Sequence, residues 1–328
     1  MSKAILVAGG AGYIGSHVCK ALAASGYTPV VLDNLSAGRR DFVAFGPFVE
    51  ASVSDSVAVA ETIAKYNIEA VIDLAGSIEV GESVKDPLKY YENNFAVKIA
   101  FLRTLQAAGV KGYVFSSTAA VYGEPVQMPI PEDHPLQPKS PYGWSKLTLE
   151  HLLRDNYAAG GMRYMALRYF NAAGASFDGD IGESHEPETH LIPRACMAAL
   201  GRVDALEIFG NDYETEDGTA LRDYIHVLDL ASAHVLAVGA LLNGAEPASY
   251  NLGNGVGTSI GEILASFKRL GINVPHSFKP RRAGDPSRLI ADSSAVQKAL
   301  GWKPQYANVD AIVESAYNWH KLPKSQRS

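Results

Sequence analysis

Residues 9–15 read Gly9-Gly10-Ala11-Gly12-Tyr13-Ile14-Gly15, directly after the apolar run Ala4–Ala8 and at the start of a helical pattern near Ile14–Ser25. A G-x-x-G-x-x-G segment between a buried strand and a helix is tightly constrained. Gly9 permits a sharp turn, Gly12 lets backbone approach a pyrophosphate, and Gly15 lets helix and strand pack closely. The helix start adds free N–H donors and the positive end of a dipole. The next apolar run ends in Asp33, followed by Asn34, 24 residues after Gly9. A carboxylate there accepts from the adenosine ribose hydroxyls and repels a 2′-phosphate, so the spacing points to NAD rather than NADP. Arg39 and Arg40 are the residues that could instead meet a phosphate.

The first half alternates short apolar runs with helical patterns, the signature of a parallel sheet covered by helices on both faces. Expected strands are Ala4–Ala8, Pro29–Leu32, Phe48–Ala51, Ala70–Leu74, Gly112–Ser116 and Tyr164–Arg168, with helices near Ser56–Lys65, Tyr90–Ala108 and Tyr142–Ala158 between them. The fold class is therefore α/β, a doubly wound parallel Rossmann sheet. After Ala175 come a loop rich in Asp, Glu, Gly and His (Ser176 to Thr189), a helix near Pro193–Leu200 and a hairpin-like Phe209–Gly218. These features mark a smaller, discontinuous α/β substrate-binding lobe. The cofactor domain then takes residues 1–175 plus about 223–254, and the lobe takes about 176–222 and 255–328. The end, Pro323–Ser328, reads as a frayed tail.

With 47% apolar and 20% charged residues among 328, the chain can bury a full core, which disfavours disorder and a coiled coil. A net charge of -6 gives no basic footprint for nucleic acid or anionic lipid. The longest apolar stretch, Ala233–Leu242, is about half a membrane span. No nucleic-acid or membrane partner is expected, and a small molecule is. Cys19 and Cys196 read as reduced, buried thiols of a cytoplasmic protein. His17, His151, His226, His234 and His320 lack metal-ligand spacing and read as surface or capping residues, so no metal is expected. Trp144, Trp302 and Trp319 read as packing residues, and Glu61–Lys65 as a solvated helical pair.

Tyr142-Gly143-Trp144-Ser145-Lys146 puts a phenol and an ammonium one helical turn apart. A tyrosine titrates near 10, but a neighbouring cation favours the phenolate and makes it a usable base. Ser116-Ser117-Thr118 ends the fifth strand, Asn93-Asn94 lies on the preceding helix, and Tyr169-Phe170-Asn171 follows the sixth strand. In a doubly wound sheet all these positions face one crevice.

Together with Arg168, these residues and the runs Phe209-Gly210-Asn211-Asp212-Tyr213, Thr215-Glu216-Asp217-Gly218-Thr219 and Arg222-Asp223-Tyr224-Ile225-His226-Val227 resemble the UDP-glucose 4-epimerases of the extended short-chain dehydrogenase/reductase superfamily. The resemblance runs from about Ala4 to Trp319. It implies an epimerisation at C4 of a UDP-hexose through a transient 4-keto sugar, with Tyr142 as base, Lys146 tuning it and Thr118 assisting. It implies NAD contacts at Tyr13, Ile14, Leu35 and Ser36, at Ser52 and Val53, and at Leu74, Ala75 and Gly76. Asn93, Ser116, Tyr142, Lys146 (on the nicotinamide ribose), Tyr169 and Phe170 complete that set. For the UDP-sugar it implies Asn171, His190 and Leu191, then Glu207, Ile208 and Phe209, then Arg222 and Tyr224, and finally Arg282, Asp285 and Leu289. A homodimer, built through the helices near Tyr90–Ala108 and Tyr142–Ala158, is implied as well.

The chain departs from the family pattern at several points. Ser52 stands where an acidic residue commonly meets adenine, with Asp55 nearby as a substitute. Ile78 stands where many members carry lysine, which should loosen NAD; Ala8 replaces a threonine and His190 an asparagine. Leu289 falls where pocket volume gates N-acetylated sugars. Sibling epimerases for UDP-xylose/UDP-arabinose or UDP-N-acetylhexosamine remain open. A nucleotide-sugar dehydratase would need an acid pair after Thr118, where Ala119 and Ala120 stand, and a non-catalytic NAD sensor would not need the Thr118, Tyr142 and Lys146 set.

Overall fold

In the computed structural model, which describes residues 2–282, 285–323 and 327, strand β1 (Ala4–Ala8) is buried along its whole length. It lies between β2 (Thr28–Asp33) and β4 (Ile68–Asp73), both parallel to it. Outward from β2 comes β3 (Phe48–Glu50); outward from β4 come β5 (Gly112–Thr118), β6 (Arg163–Tyr169) and β11 (Ala248–Leu252). All six pairings of this seven-stranded sheet are parallel. The order reverses at β1, so the crevice at its C-terminal end is where ligands bind in open α/β sheets.

Side chains of β1 alternate between two cores. Ile5 and Val7 pack with α1 (Tyr13–Ala24) and α8 (Val227–Leu242), through Val18, Leu22, Leu230 and Val238. Ala4, Leu6 and Ala8 face α2 (Ser56–Tyr66), α5 (Val97–Ala107) and α6 (Pro141–Ala158), through Val59, Phe101, Leu105 and Leu149. Apolar helices on both faces explain why these strands read as unbroken hydrophobic runs. A third core gathers Ile192 and Cys196 of α7 (Leu191–Ala199), Ile208 of β8 (Leu206–Phe209), Phe267 of α9 (Ile260–Arg269) and Val313 of α11 (Val309–Lys321). Among the described residues no helix is long and apolar enough to cross a membrane.

Several expectations are corrected. The helix expected over Tyr90–Ala108 is broken: α4 (Pro87–Tyr91) passes into a π-turn at Glu92–Ala96 before α5 begins. Phe209–Gly218 is not a hairpin, because β8 pairs in parallel with β13 (His276–Lys279) and the chain then turns between Tyr213 and Gly218. His17, His234 and His320 are buried rather than superficial, whereas His226 does cap α8 by accepting from the Leu228 N–H. Trp302 and Trp319 are buried, but Trp144 is 45% exposed. Glu61 and Lys65 form no ion pair among the described residues; the Lys65 ammonium lies over the Tyr66 ring. Of the expected tail, residues 324–326 and 328 lie outside the described residues.

Candidate active site

The glycine loop is held by steric necessity. Gly9 has φ +78°, and a Cβ there would meet the backbone of Leu74 and Ala75 at 2.8 Å. A Cβ on Gly15 would collide with the Gly9 carbonyl, so its close approach is of helix to loop. Gly12 is the extended N-cap of α1, and its only neighbour at the Cβ position is the Gly9 carbonyl oxygen at 3.3 Å. Tyr13 and Ile14 open the helix, and the Tyr13 hydroxyl donates to the Gly174 carbonyl at 2.7 Å.

Asp33 ends β2 with each carboxylate oxygen accepting one backbone N–H, from Ala11 at 3.0 Å and from Leu35 at 2.8 Å. Each oxygen keeps a further lone pair for a ribose hydroxyl. Burial pushes the Asp33 carboxyl up, and those two N–H groups pull it back. Asn34 accepts from the Ser36 N–H, closing the turn in which Leu35 takes φ 56°. Arg39 donates to Ser184 and Arg40 stacks 4.4 Å from the Phe48 ring centre, so both guanidiniums are engaged. Ser52 bonds Ser54 and Val53 is buried, while Asp55 caps α2 through the Val57 and Ala58 N–H groups. A glycine cradle, a helix N-terminus and this carboxylate fit NAD.

The catalytic candidates meet at the ends of β5 and β6. Thr118, 9% exposed, accepts from the Ala120 N–H at 3.1 Å and lies beside Tyr142, near the start of α6. Burial raises the Tyr142 pKa, and the neighbouring Thr118 hydroxyl offsets part of that rise. Lys146 is buried with Nζ 5.9 Å from the Tyr142 ring centre, and it donates to the Ser116 carbonyl at 2.9 Å. Burial lowers its pKa to about 8, with Asp73 opposing and Lys98 assisting, so at pH 7 it is mainly the ammonium. The Ser116 hydroxyl makes a short bond with the Tyr169 hydroxyl. Phe170 and Leu289 pack on the cluster of Val121, Tyr122 and Leu147 beside this site.

The loop after β4, Leu74-Ala75-Gly76, is braced by residues only partly foreseen. Asn94 is buried, with Oδ1 accepting from the Ser77 N–H at 2.7 Å and Nδ2 donating to the Ser77 carbonyl and to Ser145. Asn93, the expected contact, is exposed and reaches the Ser77 hydroxyl at 3.3 Å. The π-turn sets both side chains on this loop, as such turns often do at functional sites. Beneath them the fully buried Lys98 donates to Asp73 at 2.7 Å and to the Ala75 carbonyl at 2.8 Å, and Tyr113 bonds the other Asp73 oxygen. A lone lysine four residues after Asn94 was the available signal for Lys98.

On the other side of the crevice, β7 (Asn171–Ala173) pairs with β10 (Tyr224–His226), which sets Asn171 opposite Tyr224. Arg222, in β9 (Leu221–Arg222), pairs with Asp285, which also accepts from Tyr213. The Arg282 guanidinium lies 4.0 Å from the Phe209 ring centre. Leu289 pairs with Arg222 through β14 (Arg288–Leu289). The structure does not bring the side chains of Glu207 and Ile208 to this group: Glu207 is exposed 3.4 Å from Lys279, and Ile208 is fully buried in the third core. His190 and Leu191 stand at the start of α7, with the His190 N–H on Glu188.

Residues 5–253 match the model of the NAD dependent epimerase/dehydratase family. A UDP-glucose 4-epimerase of Rhizobium leguminosarum bv. trifolii is 49% identical, over 97% of each chain. The crystal structure of UDP-glucose 4-epimerase from Brucella ovis in complex with NAD is 51% identical with a TM-score of 0.94, covering 96% of this chain and 98% of that one. That of the Stenotrophomonas maltophila UDP-glucose-4-epimerase, with bound NAD and formylated UDP-arabinopyranose, is 38% identical with a TM-score of 0.94, covering 97% and 98%. With its parallel sheet reversing at a glycine loop and its crevice lined by threonine, tyrosine and lysine, the chain belongs to the NAD-dependent epimerase/dehydratase family, within its UDP-glucose 4-epimerase group.

Proposed function

We propose that the chain interconverts UDP-glucose and UDP-galactose through a transient 4-keto sugar. The observation that carries this reading is the convergence of Thr118, Tyr142 and buried Lys146, with Lys146 Nζ 5.9 Å from the Tyr142 ring centre, at the strand ends that face the NAD loop. A sugar C–H is not acidic, and NAD held by the glycine loop and Asp33 would supply the route around that, reversible hydride transfer at C4. Tyr142 removes the proton from the 4-hydroxyl and returns it after the sugar has turned, while Thr118 bonds the same oxygen. The Lys146 ammonium favours the phenolate electrostatically and, through Ser116, is fixed in place. Arg222 and Arg282 offer planar donor forks to the diphosphate, and His190 stands at the same end of the lobe. Phe209, with the backbone of Glu207 and Ile208, then serves the uridine side; Asn171, Tyr224 and Leu289 border the sugar.

Ala119 and Ala120 support epimerisation over dehydration, because elimination needs an acid where these methyl groups stand. The Stenotrophomonas relative's pentose ligand favours a second reading, a UDP-pentose epimerase. Incubating the purified chain with UDP-glucose and UDP-arabinopyranose separately decides between them. Formation of UDP-galactose is expected, and a 4-keto-6-deoxy product would overturn the reading.

The proposal includes the division into a cofactor domain (1–175 plus about 223–254) and a UDP-sugar lobe, supported by the separate third core. It also places the chain in the cytoplasm, consistent with two free, buried thiols. A homodimer is part of it too. Helices α3 (Val80–Lys85) and α4 pack on α6 yet leave Val84 64%, Leu88 79% and Trp144 45% exposed. Such apolar surface marks an interface. Leu88→Glu should convert a dimer to a monomer in light scattering; a wild-type chain that is already monomeric overturns this part.

A further inference from the structure

Ahead of α7, Glu183, His185, Glu188 and His190 converge, with one ligand atom from each lying within 4.8 Å of all the others. Nδ1 of His190 is 2.9 Å from an oxygen of Glu183 and 3.0 Å from one of Glu188, and Nδ1 of His185 is 3.1 Å from the same Glu183 oxygen. Ligands about 2.0–2.1 Å from a tetrahedral zinc ion stand roughly 3.3 Å apart, so three of these contacts already approach the spacing of a coordination shell, and a bound ion would draw in the wider pairs.

A second observation is independent of that clustering. The Glu188 side chain is only 6% exposed, and its Oε2 is buried with no hydrogen-bond partner among the described residues. It points at His185 Nδ1 from 3.8 Å, beyond bonding range. A bare carboxylate oxygen is costly inside a protein. Pairing two imidazoles with two carboxylates does not relieve it, whereas a cation at the centre would reach all four groups.

We propose that Glu183, His185, Glu188 and His190 bind a divalent transition cation of the zinc class, each histidine giving Nδ1 and each glutamate one oxygen. Two nitrogens and two oxygens suit zinc or cobalt, whereas calcium and magnesium favour all-oxygen shells. Four protein ligands close the shell, so the ion is structural. It fastens this segment against α1, because the His185 ring meets Tyr13 edge-on at 6.2 Å between centres. The site goes beyond the sugar chemistry and does not depend on it.

The test uses the untagged full chain, cleared with a chelator and titrated with Co2+ and then Zn2+. Expected are one Co2+ per chain, the intense visible absorption of a tetrahedral site, and its loss as Zn2+ displaces the probe. Glu188→Gln and His185→Gln should each abolish stoichiometric uptake with the far-ultraviolet spectrum unchanged, while His151→Gln, at an exposed position, retains it. Absence of uptake by the wild-type chain, a weak octahedral spectrum, or uptake unaltered by Glu188→Gln would each overturn the site. The wild-type titration needs no variant, so it decides even if one fails to fold.

Discussion

Tyr142→Phe is expected to lower epimerase turnover at least about a hundredfold, the low end of what a positioned acid–base group contributes, while NAD remains bound. The substitution removes one oxygen and keeps the ring. The ring's surroundings do not depend on that oxygen: Tyr90 meets it edge-on at 6.3 Å and Lys146 lies 5.9 Å from its centre. The fold and the glycine loop therefore stay as they are. What disappears is the hydroxyl beside Thr118, and with it the proposed carrier of the 4-hydroxyl proton. Burial holds the Tyr142 phenol protonated in the absence of charge nearby, so the ammonium of Lys146 must offset that penalty. Turnover measured beside NAD retention separates the roles. Wild-type-like turnover rules out Tyr142 as the base, and loss of NAD would instead make it a cofactor ligand.

The chemistry was legible where its causes are local in the chain. Gly9, Gly12 and Gly15 satisfy one another's sterics within a single turn, and Asp33 closes on Ala11 and Leu35 through backbone N–H groups. Strand identities followed because both faces of the sheet are covered, though ends such as Thr118 and Tyr169 extended beyond the apolar runs to carry polar side chains into the crevice. The buried histidines were illegible for a definite reason. His17 and His234 each donate Nδ1 to a carbonyl one turn back in their own helix, which lets a neutral ring be buried, and burial lowers both pKa values to about 4. Nothing in sequence spacing separates that state from a surface histidine. Asn94 was obscured by the π-turn, since a regular helix gives no reason to prefer it over Asn93. Lys98 was hidden because its partner, Asp73, belongs to another element and a charged side chain is rarely fully buried.

That pair supports the second large effect. Lys98→Met should destabilise the protein by about 3–5 kcal/mol, the range for removing one partner of a buried ion pair. The lysine and aspartate side chains are 1% and 0% exposed, so water cannot replace the lost ammonium. Methionine fills the stem's volume but leaves Asp73 with only the Tyr113 hydroxyl and the Ala75 N–H. At roughly 2 °C per kcal/mol for a chain of this size or somewhat smaller, the thermal midpoint should fall by about 6–10 °C. NAD affinity should fall too, because Lys98 also holds the Ala75 carbonyl in the loop against which Gly9 packs. The double variant Asp73→Asn with Lys98→Met tells desolvated charge from lost packing. If the cost is an unpaired carboxylate, removing that charge restores much of the stability, because neutralising both partners is far cheaper than orphaning one. Strictly additive losses in the two single variants would show instead that Lys98 acts through the shape of its side chain. In that case the loop after β4 would be held without the Lys98 ammonium, and Lys98→Met would leave NAD affinity unchanged.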